Sequence, residues 1–151
     1  MTSKVSRFLR DVAPATPCLV VDVDRVAENY GRLKAAMPAA RIYYAVKANP
    51  AAPILGRLVD LQSSFDAASL EEVQMCLDAG AAPEAISFGN TVKKESAIQA
   101  AFAAGVRMFA FDSEGELRKL ARSAPGAKGY CRILVGNVGA EWPLSSASGR
   151  R

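Results

Sequence analysis

The chain has 151 residues, 50% of them hydrophobic and 23% charged, with a formal net charge of +4; this is the balance of one soluble globular domain and excludes a disordered chain. Its 15 acidic residues are interspersed among 19 basic ones, so the mild positive charge lacks the dense basic stripe of a nucleic-acid binder. The N-terminal stretch MTSKVSRFLRDVAP has no apolar signal-peptide core, and no run approaches the ~20 apolar residues of a membrane span. Cys18, Cys76 and Cys131 are widely spaced, and each lies in an apolar run. That pattern predicts free thiols rather than a disulfide framework, no metal site, and a reducing, cytoplasmic setting.

In chain order the elements alternate. CLVVDVD (18–24) is apolar and β-branched and predicts a strand; RVAENYGRLKAAM (25–37) places Val26, Tyr30, Leu33 and Met37 on one helical face and is closed by Pro38. RIYYAVKA (41–48) predicts a second strand, and AAPILGRLVDL (51–61) a helix with Pro53 in its first turn, where a missing N–H costs little. SSFDAAS (63–69) leads into LEEVQMCLDAG, with Ser69 as N-cap, Glu72 completing a capping box and Gly80 as the stop. AISFGN precedes VKKESAIQAAFAAG, RMFAFD precedes SEGELRKLARSA, and GYCRILVG (129–136) comes last. The expectation is six strands and five helices recurring every ~22 residues, a period that fits βα units better than leucine-rich repeats. Near-continuously apolar strands predict a parallel sheet buried on both faces. An open doubly wound sheet and part of a (β/α)8 barrel both satisfy this pattern.

The polar residues point to the chemistry. Lys47, Asp66, Asn90 and Asp112 fall at or just after the carboxyl ends of predicted strands, and Arg132 lies within the last one; ligands bind at that end in either architecture. No GxGxxG or GxxxxGK[ST] loop follows the first strand, so a nucleotide site lacks its backbone cradle. A half-buried lysine at a strand end loses solvation, and its neutral amine can attack a carbonyl to form an imine. The plainer reading of Lys47 is a solvated edge charge. Asp112 is equally placed to cap the helix that follows it, whereas Arg132, flanked by Cys131 and Ile133, needs an anionic partner if the strand is buried.

The segments YYAVKAN, FDAASLEEV, SFGNTVKK, FAFDSEGEL and RILV resemble, in order and spacing, the barrel domain of the pyridoxal phosphate dependent fold-type III decarboxylases. The bacterial ornithine/lysine decarboxylase group is the nearest likeness, and the resemblance runs from about Pro17 to Ser145. It implies an α/β fold, a partial TIM-type (β/α)8 barrel of the alanine racemase type with about five of eight barrel strands. Strand 18–24 would then belong to a sheet shared with a second domain. It implies that Lys47 carries pyridoxal 5'-phosphate as a Schiff base, that Ala45 lies near the cofactor ring, that Asp66 sits beside Lys47 and influences its protonation, and that Arg132 approaches the phenolic oxygen side. The catalytic expectation is therefore Lys47 and Asp66, and the cofactor-binding expectation Ala45, Lys47, Asp66 and Arg132, with no metal. The implied activity is decarboxylation of ornithine or lysine to putrescine or cadaverine, in polyamine biosynthesis, by a homodimer.

After GAEWPLS (139–145) the chain reads SASGRR and departs from the pattern. The division that follows is an N-terminal extension over 1–16, a truncated cofactor-binding barrel over 17–145 and a divergent tail over 146–151. The 151 residues contain no histidine, no later glycine-rich loop and no EPGR-like segment, and the family's C-terminal β-domain is not among them. The expectation is a fragment that is inactive by itself and self-associates; a non-catalytic interaction fragment or a small pyridoxal phosphate carrier is the alternative.

Overall fold

The computed structural model describes residues 3–134. Helix α1 spans Ser3–Val12 and α2 Val23–Ala36; then come strand β1 (Tyr43–Ala45), a 3-10 turn (Val46–Ala48) and α3 (Ala52–Asp60). β2 (Ser64–Ala67), α4 (Leu70–Asp78), β3 (Ile86–Phe88), α5 (Glu95–Ala103), β4 (Met108–Phe111), α6 (Glu114–Ser123) and β5 (Lys128–Cys131) complete the order. Every strand pairs in parallel with the next, giving the sheet order β1-β2-β3-β4-β5. A doubly wound sheet reverses its strand order at a switch point. No reversal occurs here, so the described strands form five consecutive staves of a barrel wall.

Local chemistry explains the boundaries. Ser69 caps α4, its hydroxyl accepting from the Glu72 backbone N–H at 3.2 Å, while the Glu72 carboxylate accepts from Ala68 N at 2.7 Å. That reciprocal arrangement is the expected capping box, displaced by one residue on the return bond. Gly80 follows α4 with φ +93°, a left-handed conformation that glycine adopts without strain. Pro53 sits in the first turn of α3.

The core lies on one side of the sheet. Phe65, Ile86, Phe88 and Phe109 point from β2, β3 and β4 toward Leu55 and Leu58 of α3, Val73 and Cys76 of α4, Ile98 of α5 and Leu120 of α6. Each large buried side chain contributes about 1.5–3 kcal/mol relative to exposure. Phe88 and Phe109, whose ring centroids are 6.1 Å apart, join adjacent strands.

Several sequence expectations give way. Residues 18–22 form no strand; α2 begins at Val23, capped by the Asp22 carboxylate accepting from Asp24 N at 3.1 Å, and Leu19 is 84% exposed. Five strands and six α-helices are thus found among the described residues, rather than six and five. The added helix, α1, falls in the stretch read only as an N-terminal extension, because it has no buried residue to mark it. Leu33 and Met37 are exposed although Val26 and Tyr30 pack on the core, so only the first half of the α2 stripe is covered. Burial on both faces holds for β2 and β3, whose residues are buried but for the half-buried Asp66, and fails at the edge strand β5, which is exposed throughout, because it has no neighbour beyond it and no opposing layer among the described residues. The end of the last predicted strand, beyond residue 134, and the divergent tail 146–151 lie outside the described residues.

Candidate functional site

Parallel register places Ala45, Asp66, Ser87 and Met108 side by side across β1 to β4, on the face opposite the helices. With Tyr43 and Tyr130 they line a concave pocket of about 410 Å³, within the ~300–1,000 Å³ range of small-molecule sites. The wall combines an apolar floor with few polar groups. Tyr43 donates its hydroxyl proton toward Met108 Sδ at 3.7 Å, and the Ser87 and Tyr130 hydroxyl oxygens are 2.9 Å apart.

Asp66 is the only carboxylate among the pocket-lining residues. Burial pushes its carboxyl pKa up, the neighbouring Ser87 hydroxyl and the Lys47 charge pull it down, and Glu72 adds to the upward shift. Its carboxylate fills the space beside Gly89, where a Cβ would lie 2.0 Å from Oδ1. Lys47 lies just beyond β1 in the 3-10 turn, so it stands at the carboxyl end of the strand next to β2. It is exposed rather than half-buried, because nothing among the described residues closes over the rim. Lys47 and Asp66 therefore share one rim and interact through their charges, without an ion pair within 4 Å among the described residues.

Arg132 does not lie inside a buried strand. β5 ends at Cys131, the Arg132 side chain is 62% exposed, and its guanidinium donates to Asp112 Oδ2 at 2.6 Å and Thr91 Oγ1 at 2.8 Å. Asp112 is correspondingly not the cap of α6. Ser113 takes that role, accepting from Glu116 N at 3.3 Å, which leaves Asp112 free to pair. A hydrogen bond from Thr91 and then the Arg132 guanidinium hold the Asp112 carboxyl below its ordinary range. Arg132 thus occupies the same end of the sheet as Lys47 and Asp66, but is engaged with β4 and the loop after β3.

That loop is anchored by a buried cation that sequence reasoning passed over. The Lys93 ammonium, with no exposed side-chain surface, donates to Glu116 Oε1 at 2.8 Å, Asn90 O at 2.8 Å and Ala110 O at 2.6 Å. Lys119 caps the other Glu116 oxygen at 2.5 Å. Burial raises the Glu116 pKa, but hydrogen bonds from Lys119 and Lys93 outweigh it and hold the carboxyl below its usual value. Ser87, Gly89 and Tyr130 were also missed as site residues. For Ser87 a signal was available as a spacing, since Ala45, Asp66, Ser87 and Met108 recur at intervals of 21 residues, the repeat of one βα unit; Gly89 and Tyr130 fall outside that series.

The residues present suit pyridoxal phosphate. An accessible amine stands at the rim, a half-buried carboxylate on the adjacent strand feels its charge, and Ala45 keeps the pocket floor small. Among the described residues no group of three or more metal-ligating side chains occurs and no helix is long and apolar enough to cross a membrane.

Residues 23–151 match the family model for the pyridoxal-dependent decarboxylase, pyridoxal binding domain. The chain is 39% identical over 122 residues to the lysine/ornithine decarboxylase of Selenomonas ruminantium, covering 81% of this chain and 31% of that protein. Ornithine decarboxylase of Rattus norvegicus is 38% identical over 126 residues, covering 83% and 27% respectively. In three dimensions the chain superposes on the crystal structure of SrLDC in complex with PLP and cadaverine with a TM-score of 0.81 and 35% identity, covering 97% of this chain and 38% of that one. The chain spans about a third of the length of the curated relatives it matches.

Proposed function

Because the chain belongs to the pyridoxal-dependent decarboxylases through their pyridoxal binding domain, we propose that its Lys47 is the covalent anchor for pyridoxal 5'-phosphate and that the reaction served is decarboxylation of a basic amino acid. The observation that carries this reading is the shared rim of Lys47, in the turn that follows β1, and Asp66 of the adjacent strand β2, beside a pocket floored by Ala45. When bound, pyridoxal phosphate supplies an electron sink for the pair left when a carboxylate departs as carbon dioxide.

This chain's own residues then have distinct tasks. The Lys47 amine, exposed at the end of β1, is the nucleophile toward an aldehyde carbon. Asp66 supplies a negative charge next to that amine. Its raised pKa, caused first by burial, brings the carboxyl nearer to proton exchange at working pH. Ala45 offers a methyl where a larger side chain would fill the pocket. Arg132, held by Asp112 and Thr91, contributes a fixed positive charge at the far side of the same rim. The relatives' names support ornithine or lysine as substrate and putrescine or cadaverine as product, hence a role in polyamine biosynthesis. We extend the reading to a barrel domain over 17–145, and to the paired subunits of full-length members of the family.

The five described strands form only one wall around the pocket, so the 151-residue chain is proposed to capture cofactor weakly and not to turn over substrate unaided. Borohydride reduction with excess pyridoxal phosphate, followed by peptide mapping, tests the anchor. Label should concentrate on Lys47 over other exposed lysines such as Lys4 and Lys34; an even spread would refute it. Release of carbon dioxide from ornithine or lysine that Lys47→Ala abolishes would overturn the expectation of no turnover while supporting the anchor.

A further inference from the structure

We propose that Ser87 and Tyr130 form a hydrogen-bond relay that orients the Asp66 carboxylate, making Tyr130, two strands away from Ser87, a positioning residue for this site. The importance of the relay for chemistry rests on the reading of Asp66 given above; its existence does not.

The relay follows from proton counting. Asp66 and Ser87 are register partners on β2 and β3, with side chains on the pocket face, and Ser87 is only 3% exposed. The Ser87 oxygen lies 2.9 Å from the Tyr130 hydroxyl. An ionised carboxylate only accepts, and a serine hydroxyl has a single proton to give. If that proton is given to Asp66, the hydrogen bond between the two hydroxyls must run from Tyr130 to Ser87. Direction is thereby fixed, from Tyr130 through Ser87 to Asp66, and each donor polarises the next. Protonation of Asp66 removes the demand on Ser87 and frees its proton to turn toward Tyr130.

Packing allows the reach. Between β3 and β5 lies β4, whose register partner to Tyr130 is Ala110, a side chain small enough for the phenol to pass. Tyr130 is 41% exposed as a residue, yet its hydroxyl lies against a buried serine. The electrostatics agree: the Ser87 hydroxyl opposes the effect of burial on Asp66, and Tyr130 in turn has its pKa raised by burial, lowered by Ser87, and raised again by Asp66 and Tyr43. The remaining charges acting on Asp66 are Lys47 and Glu72; neither touches the relay.

The test is the carboxyl titration of Asp66 in the cofactor-free chain, read from its side-chain carbon resonance and assigned by its loss in Asp66→Asn. Ser87→Ala should move the midpoint up. Tyr130→Phe, which keeps the ring, should move it up by less. The double variant should match Ser87→Ala alone, because Tyr130 acts through Ser87, and Ser87→Thr, which retains a hydroxyl, should preserve the response to Tyr130→Phe. An Asp66 midpoint unmoved by Tyr130→Phe, in the parent or in Ser87→Thr, would overturn the relay even if Ser87→Ala fails to fold. So would full additivity of the two changes. Since no cofactor is present, failure here leaves the borohydride result on Lys47 standing, and the reverse.

Discussion

A Cβ at residue 89 would lie 2.0 Å from Oδ1 of Asp66 and 2.7 Å from its Cγ, so the carboxylate at the end of β2 occupies space that only a glycine at the end of β3 leaves open. The contact is side chain against backbone, and the flexible partner must yield. Gly89→Ala is therefore expected to swing the Asp66 carboxylate away from Ser87 at a cost to stability of about 1 kcal/mol. Removing a hydrogen bond to a charged group corresponds to about 1.5–3 kcal/mol, so selective trapping of pyridoxal phosphate on Lys47 should fall about tenfold or more. Denaturant titration and peptide mapping on the same preparation check both; unchanged trapping would show that the location of Asp66 does not matter to the anchor.

Lys93 ties the loop after β3 to β4 and α6 through three acceptors while having no exposed side-chain surface. Lys93→Met preserves length and removes the charge, leaving two carbonyls without the ammonium donor and Glu116 with Lys119 and the backbone N–H of residue 93. Breaking a buried pair from one side costs about 3–5 kcal/mol, and a drop of that size in unfolding free energy is the expectation. A loss below about 1 kcal/mol would mean that the loop is held by other contacts. The Arg132 contact to Thr91 should loosen in the same variant, visible as faster amide exchange across residues 90–94.

Acid should weaken the fold through Glu116. Although burial raises its pKa, the hydrogen bonds from Lys119 and Lys93 leave the folded carboxyl below its usual value. The resulting stabilisation is fully present above the unfolded glutamate pKa of about 4.3 and is lost as pH falls through the lower folded value. Asp66 has the opposite sign: its raised pKa, due first to burial, makes protonation on the acid side favour the fold. Unfolding midpoints measured from neutral pH downward should decline below about pH 4, and Glu116→Gln should be less stable at neutral pH with a flatter acid limb. An acid limb equally steep in that variant would assign acid lability elsewhere.

The three thiols should separate by reactivity. Cys18 and Cys131 are exposed and Cys76 is buried, with burial, aided by Glu72, pushing the Cys76 pKa up to about 12. Thiolate is the reactive form. A thiol reagent at neutral pH should find two groups at once and the third only on unfolding. Rapid titration of all three in the native chain would contradict the packing of α4 on the core.

β1 and β5 each pair on one side only among the described residues, and Ile133 and Leu134 beyond β5 are 73% and 90% exposed. Unpaired edges beside exposed apolar surface are a route to association. Light scattering on the 151-residue chain should give a mass above the monomer that grows with concentration. A monomeric mass throughout would refute association through these edges.

The sequence by itself determined the βα alternation, the Ser69 cap, the parallel sheet and the rim bearing Lys47 and Asp66. These follow from local pattern: periodicity, turn chemistry and a repeat that returns the chain to the same end of the sheet. Tertiary structure alone decided the rest. Residues 18–22 carry strand-like composition, yet pairing needs a neighbour, and none is supplied among the described residues. Asp112 reads from sequence as a cap for α6, but Arg132, just past β5, claims its carboxylate and Ser113 caps the helix. Lys93 reads as one of two adjacent lysines; only the approach of Glu116, 23 residues away, makes burial of its charge tolerable. The space for Asp66 depends on a missing Cβ on the neighbouring strand. Such relationships join residues far apart in the chain, and register and packing create them where periodicity cannot.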